Sequence, residues 1–306
     1  MSPTDLLAVV DLGSNSFRLE IARLEENRLL SLLYRKETVR LAGGFAPDGT
    51  LTPDMESRAL AALTRFRECL LGVAPENVLV VGTHAMRRAS QNTAFLRAAE
   101  RALGAPIEII SGEREASFAF SGAVRSLPYS AEERLVVDIG GGSTEMASGH
   151  GTTIGRSASY PVGCVSASIG FFPDGRITPD RQEAALAHAM TVLADAAKTF
   201  PGASSSEAYM TAGTFRAVVE TCRNLGWTKD EVRLEHIEEL IARLLRSKGR
   251  FAQAFPGMRA DRYEVIAGGL TVLQAVYRTL GLSEARLSQG GVRAGLLYEL
   301  LGNPPY

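Results

Sequence analysis

Short apolar runs and longer helical stripes alternate along this chain. The run at 6–12 is short and rich in β-branched residues, which predicts a buried strand. Further strands are predicted at 19–24 and 29–34, with a turn near Asn27, and Gly43-Gly44 and Pro47-Asp48-Gly49 mark loops. Thr52-Pro53-Asp54 opens an amphipathic helix to about 71, with Thr52 as its cap and Pro53 in its first turn. A strand over 77–81, a helix over 90–103 and a strand over 107–110 follow, and Ser111 caps the next helix.

The pattern breaks near Leu127-Pro128-Tyr129-Ser130 and then begins again. Val9-Val10-Asp11-Leu12-Gly13-Ser14-Asn15-Ser16 and Val136-Val137-Asp138-Ile139-Gly140-Gly141-Gly142-Ser143 agree at Val, Val, Asp, Gly and Ser. A strand, an acid at its end and a Gly/Ser loop thus recur 127 positions apart. Solenoid repeats have periods of roughly 20 to 50 residues, so this spacing implies a duplicated domain. The second half is more helical, with helices predicted over 179–199, 214–225, 236–245, 262–280 and, after Gly290-Gly291, 292–301. The expectation is an α/β protein of two domains, 1–128 and 129–306, with a cleft between them. The last helix is placed to pack back on the first domain.

Composition narrows the function. The 306 residues are 45% hydrophobic with a mean hydropathy of +0.02, as in a globular protein. The net charge is −1, so no global field draws in nucleic acid, and any anion site must be local. Four of the 33 basic residues are lysines and 29 are arginines, which suits forked binding of phosphate and equally reflects genomic base composition. Three cysteines without a Cys-x-x-Cys pair give no disulfide framework or zinc knuckle. The first residues lack a basic region followed by an apolar stretch, and no apolar run approaches the roughly 18 residues of a membrane helix. A cytoplasmic location without a membrane partner is expected.

The chemistry concentrates in the two loops. Glycines let backbone N–H groups converge on an anion, and Ser14, Ser16, Ser143 and Thr144 add hydroxyl donors. An aspartate at a strand end can hold a divalent cation against a phosphate. One such loop reads equally as a tight turn. Two in duplicated contexts suit a phosphate chain held between facing domains. There is no Gly-Lys of a P-loop, no G-x-S-x-G elbow and no H-E-x-x-H. His84, His150, His188 and His236 are scattered and read as structural or exposed, although His84 lies where it could contact phosphate; Cys164 reads as a small buried thiol.

The paired loops resemble those of the actin, heat-shock-chaperone and sugar-kinase superfamily, whose domains have the actin-like (ribonuclease H-like) fold. More closely, Asp11-Leu12-Gly13-Ser14-Asn15-Ser16-Phe17-Arg18 resembles the opening signature of the exopolyphosphatase / guanosine pentaphosphate phosphohydrolase (Ppx/GppA) family. Further motifs follow in that family's order. They are Val39-Arg40-Leu41-Ala42, Gly82-Thr83-His84-Ala85-Met86-Arg87 and Ile109-Ile110-Ser111-Gly112-Glu113-Arg114-Glu115-Ala116, then Asp138 to Glu145, Gly163-Cys164-Val165-Ser166, Ala212-Gly213-Thr214 and Leu287-Ser288-Gln289-Gly290-Gly291-Val292-Arg293.

The resemblance implies two actin-like domains and hydrolysis of the terminal phosphate of inorganic polyphosphate, aided by Mg²⁺ or Mn²⁺. Guanosine pentaphosphate (pppGpp) is the alternative substrate, and a non-hydrolytic alarmone or nucleotide sensor a third reading. It implies Glu115 as general base, with Glu113 a competitor and a helix-dipole role in the first turn the plainer alternative. Asp138, then Glu145 and Asp11, are the implied metal ligands. Gly13, Ser14, Asn15, Ser16, Arg18, Thr83, Arg87, Gly140, Gly141, Gly142, Ser143, Thr144, Gly213, Thr214 and Arg293 are the implied phosphate contacts, with Arg18 and Arg293 weaker than Arg87. The chain departs from the family at Gln289, where an Asp is frequent, and at Gln91, where an Asn is frequent. Many relatives carry long helical C-terminal regions, so this chain is read as a short form or as part of a longer one, with a homodimer left open.

Overall fold

In the computed structural model the described residues are 6–302, apart from 27, 47, 248 and 249. The predicted turn at Asn27 lies outside them. Among the described residues eleven strands form two sheets. The first contains β1 (Leu6–Leu12), β2 (Phe17–Glu25), β3 (Arg28–Glu37), β4 (Val78–Gly82) and β5 (Glu108–Ile109), in the order β3-β2-β1-β4-β5. The second contains β6 (Glu133–Ile139), β7 (Thr144–His150), β8 (Thr153–Tyr160), β9 (Glu207–Thr211), β10 (Glu231–Arg233) and β11 (Glu284–Leu287), in the order β10-β11-β9-β6-β7-β8.

The repeat read from the loops extends through both sheets. Leu6 corresponds to Glu133, Leu12 to Ile139 and Phe17 to Thr144, each 127 residues on. In both sheets the leading strand pairs antiparallel with the next strand and parallel with a strand that follows a helical excursion. β1 and β6 are buried on both faces, which explains why they read as continuous apolar runs rather than alternating ones. Outer strands such as β8 are half exposed.

Helices cover the sheets. Pro53–Cys69 and Thr93–Leu103 close one face of the first sheet over Phe17, Leu63, Phe66 and Phe95. Burying each such side chain contributes roughly 1.5–3 kcal/mol. Helix Gly112–Arg125 is wedged between the sheets. Ala116, Phe120 and Val124 pack on Val136 and Ala147 of the second sheet, while Phe118 joins Leu7, Val9 and Leu296 under the first. The last helix, Val292–Leu300, and the Gly290-Gly291 pair that leads into it cross it in close backbone contact: a Cβ on Gly290 would lie 1.9 Å from the Gly122 carbonyl oxygen, and one on Gly295 2.1 Å from that of Phe118.

Some predicted boundaries are corrected. The helix expected over 90–103 starts at Thr93, because the Asn92 side chain accepts from Ala94 and Phe95 N–H and caps it there, and a separate short helix, His84–Ala89, precedes it. The helix expected over 179–199 ends at Val192 and resumes at Ala196. Between them the ladder tightens to i→i+3 bonds, which keep Leu193, Ala196 and Phe200 all in the core. The helix expected from 262 starts at Ile266, after a 3₁₀ turn at Ala260–Arg262.

Candidate functional site: a cavity walled by both glycine loops

Each leading strand delivers its acid and then its loop to one place. In the two loops the local geometry is the same: a Cβ on Gly13 would sit 3.1 Å from the Ser16 carbonyl oxygen, and one on Gly140 3.1 Å from that of Ser143. The loops also touch. A Cβ on Gly141 would lie 2.9 Å from Ser14 Cβ and 3.1 Å from the Asn15 nitrogen, and one on Gly142 2.5 Å from His84 Cδ2. Only glycine permits this approach. The second loop is fixed from behind by helix Cys164–Phe171, whose first N–H groups donate to the carbonyls of Gly140 and Gly141. The first is braced by Arg40 and Ala42 N–H groups, which donate to the carbonyls of Asn15 and Ser14.

In front of the loops lies a cavity of about 400 Å³. Of the residues predicted from sequence, Asp11, Gly13, Ser14, Asn15, Ser16, Arg18, Thr83, Glu115, Asp138, Gly140, Gly141, Ser143, Gly213 and Arg293 line it. Others stand behind the wall. Thr144 is fully buried and donates to the Val162 carbonyl at 2.7 Å. Thr214 is buried against Gly269, and Gly142 packs on His84. Arg87 Nη1 donates to the Ile110 carbonyl at 2.9 Å and to Glu115 Oε2 at 3.3 Å, so its guanidinium is engaged with the candidate base.

Four buried carboxylates gather here: Asp11, Glu115 and Asp138 line the cavity, and Glu145 stands behind its wall. Glu115 stands in the first turn of its helix, which Ser111 caps by accepting from Arg114 N–H. Burial, then the charges of Glu145 and Asp11, push its carboxyl well above the usual range, and Arg87 opposes the shift. Asp11 is paired with Arg18 at 3.1 Å. Asp138 accepts a hydrogen bond from Thr211, and burial raises its pKa against that bond. Glu145 Oε1 accepts from Ser159 at 2.8 Å, while Oε2 is buried without a hydrogen-bond partner. Burial raises Glu145 to about 7; Ser143 lies near enough to favour the charged form without bonding to Oε2. These acids feel one another's charge, yet among the described residues no three His, Cys, Asp or Glu side chains converge to form a metal cluster.

Sequence reasoning missed the cavity's cationic side. Lys36, Arg216, Arg259 and Arg262 line it, as do Tyr34, Glu20 and Glu220. Lys36 is the cross-strand neighbour of Arg18, and Tyr34 that of Glu20. Arg293 bonds to Glu20 at 3.0 Å and lies over the Tyr34 ring. Arg216 donates to Gln289 at 3.0 Å, so the residue in place of the expected acid serves as an arginine acceptor. These cations come from distant segments. The arginine surplus was their only trace in the sequence.

Among the described residues no helix is long and apolar enough to cross a membrane. Comparison with known proteins identifies relatives along nearly the whole chain. A Haemophilus influenzae protein named for exopolyphosphatase activity is 34% identical over 297 residues, covering 97% of this chain and 92% of the relative. The guanosine-5'-triphosphate,3'-diphosphate pyrophosphatase of Aeromonas hydrophila subsp. hydrophila is 34% identical over 303 residues, 99% of this chain; this chain spans 61% of that protein's length. In fold, the chain is similar to an exopolyphosphatase from Cytophaga hutchinsonii (TM-score 0.83, 23% identity, 98% of this chain and 99% of that one). It is also similar to the Aquifex aeolicus member of the Ppx/GppA family (TM-score 0.76, 24% identity, 99% of each chain). The Ppx/GppA phosphatase family matches residues 20–304. With the family model matching most of its length and relatives at 34% identity along nearly all of it, the chain belongs to the Ppx/GppA phosphatase family, hydrolases of phosphoanhydride bonds.

Proposed function

We propose that the protein is an exopolyphosphatase that releases orthophosphate from the end of inorganic polyphosphate. The observation that carries this reading is that Glu115 and both glycine loops line a single cavity. In this reading the cavity is the cleft between two actin-like domains, 1–128 and 129–306; the repeated strand order of the sheets supports that division. The backbone of Gly13–Ser16 and Gly140–Ser143 and the side chains of Arg18 and Arg293 hold the terminal phosphates. Charge-assisted bonds of this kind contribute about 1.5–3 kcal/mol each.

Glu115 accepts a proton from water as the water oxygen bonds to the terminal phosphorus. The bridging P–O bond breaks, and its electron pair leaves on the shortened chain. A base raised above the ordinary carboxylate range matches this task, and Arg87, bonded to it, orients it and favours its charged form. The donor set fits a magnesium or manganese ion, since Mg²⁺ is commonly held by one or two carboxylates together with substrate phosphates. Asp138 and Glu145 would hold it; the unpartnered Glu145 Oε2 is a buried anion in want of a cation. When bound, the ion neutralises phosphate charge. Asp11, tied to Arg18, contributes charge to the site rather than a ligand.

Guanosine pentaphosphate is the second reading, favoured by the 34% identity to the Aeromonas enzyme. Orthophosphate release from each substrate at equal phosphate concentration decides between them. A preference above roughly tenfold for the nucleotide, about 1.4 kcal/mol, would overturn the first reading.

A further inference from the structure

On the side of the edge strand β3, two strands away from β1 and its loop, the cavity holds an internal competitor for anions. Lys36, at the end of β3, and Arg259, in the segment before helix Ile266–Leu280, both line the cavity. Both are engaged by one carboxylate that does not line it. Asp261 Oδ2 accepts from Lys36 Nζ at 2.7 Å and from Arg259 Nη2 at 3.4 Å, and its Oδ1 accepts from Arg259 Nε at 3.1 Å. The Lys36 side chain is 15% exposed and that of Asp261 26%, so water screens this bridge less than a surface pair. A second bridge, Arg40 to Glu264 at 2.8 Å, joins the same two segments. Arg18, next to Lys36 across the strands, and Arg262 complete the cationic wall.

A carboxylate that bridges an ammonium and a guanidinium offers them the same two-oxygen contact as a phosphoryl group. Phosphates near the glycine loops do not need these cations. A chain long enough to extend past Arg18 to the β3 side does, and it meets them already neutralised.

We propose that Asp261 is a selectivity residue which occupies Lys36 and Arg259 in place of phosphate and so sets the cavity's preference for short over long phosphate chains. This rests on the reading of the cavity as a polyphosphate site. Removing the Asp261 charge frees both cations and strengthens binding of long chains, leaving that of short chains little changed. A purely structural tie between the two segments would behave differently: its loss would weaken every ligand alike.

The test is binding in EDTA, followed calorimetrically, of tripolyphosphate and of a polyphosphate of about 45 units to wild type, Asp261→Asn and Asp261→Glu. Asp261→Asn is expected to bind the long chain roughly tenfold more tightly, the worth of one added charged contact, with tripolyphosphate affinity unchanged. Asp261→Glu is expected to restore the wild-type ratio. Adding Lys36→Ala to Asp261→Asn is expected to abolish the gain. An unchanged ratio in Asp261→Asn, or equal weakening of both ligands, overturns the proposal while leaving the phosphohydrolase reading standing. Failure of wild type to bind either polyphosphate, in EDTA and again with Mg²⁺, overturns both.

Discussion

Glu145 stands directly opposite Asp138 in the register of β7 on β6, at the place where the first repeat sets Arg18 opposite Asp11. Duplication thus produced one hairpin that neutralises its acid and one that pairs two buried acids. The second is the costly arrangement, since a buried carboxylate without a partner is destabilising when charged. Glu145 Oε2 has no hydrogen-bond partner, and on the proposed reading this asymmetry puts the cation on the side of the second repeat.

Stability should therefore respond to pH and to magnesium together. The Glu145 carboxyl is raised to about 7 in the folded protein, so above the ordinary carboxylate pKa the folded state holds a proton that the unfolded state has lost. The cation-free protein then loses stability as pH rises from about 4.5 to about 7. Mg²⁺ favours the charged form, so its effect on Tm should be larger at pH 8 than at pH 5.5. Glu145→Gln should flatten both dependences in a thermal melt.

Arg87 acts on Glu115 electrostatically. Its charge lowers a carboxyl that burial and neighbouring acids have raised. Replacing it with methionine should move the acid limb of the kcat/KM profile to higher pH, because the base is then protonated over a wider range. A pH profile that keeps its limb and only falls in height would count against this pairing.

Two glycines of the wall should fail in different ways. An added methyl at Gly213 lies 1.7 Å from Arg262 Nη2, the movable end of a side chain. Gly213→Ala should displace that guanidinium and raise KM, with Tm little altered. An added methyl at Gly141 meets Ser14 Cβ and the Asn15 backbone, so Gly141→Ala should separate the loops and lower kcat as well. Steady-state kinetics on both variants would separate the effects.

The crossing of the two helices is a backbone contact without room for adjustment. Gly290→Ala, aimed at the Gly122 carbonyl, should destabilise the protein by about 1–3 kcal/mol, as overpacking does. Urea melts provide the check.

The loops were legible in sequence because each is local, an acid, glycines and hydroxyls within eight residues, whereas Glu115, four residues after its capping Ser111, was singled out as the proposed base by its place in the family motif. Strands β7 and β8 were not, although the 127-residue repeat locates β7 once the first hairpin is known. β7 is buried from Thr144 to Gly149, but Met146 is its one large apolar side chain among Thr, Glu, Ala, Ser and Gly, so it carries little apolar signal. Lys36, Arg216, Arg259 and Arg262 were not legible either. They meet only because β3, the helix Ala212–Asn224 and the turn before Ile266 converge on one cavity. Arg87 shows the opposite limit: its motif was recognised, but its contact with Glu115 depends on how two helices pack.

Orthophosphate release from polyphosphate with Mg²⁺, by wild type and Glu115→Gln side by side, tests the central claim most directly. The substitution keeps the shape of the side chain and removes the base. Release by wild type and a drop of about 10²- to 10⁴-fold in kcat for the variant, with polyphosphate binding retained, is the predicted result. Equal rates from the two proteins would contradict Glu115 as the base, and no release by wild type with either Mg²⁺ or Mn²⁺ would contradict the account of the cavity as an exopolyphosphatase site.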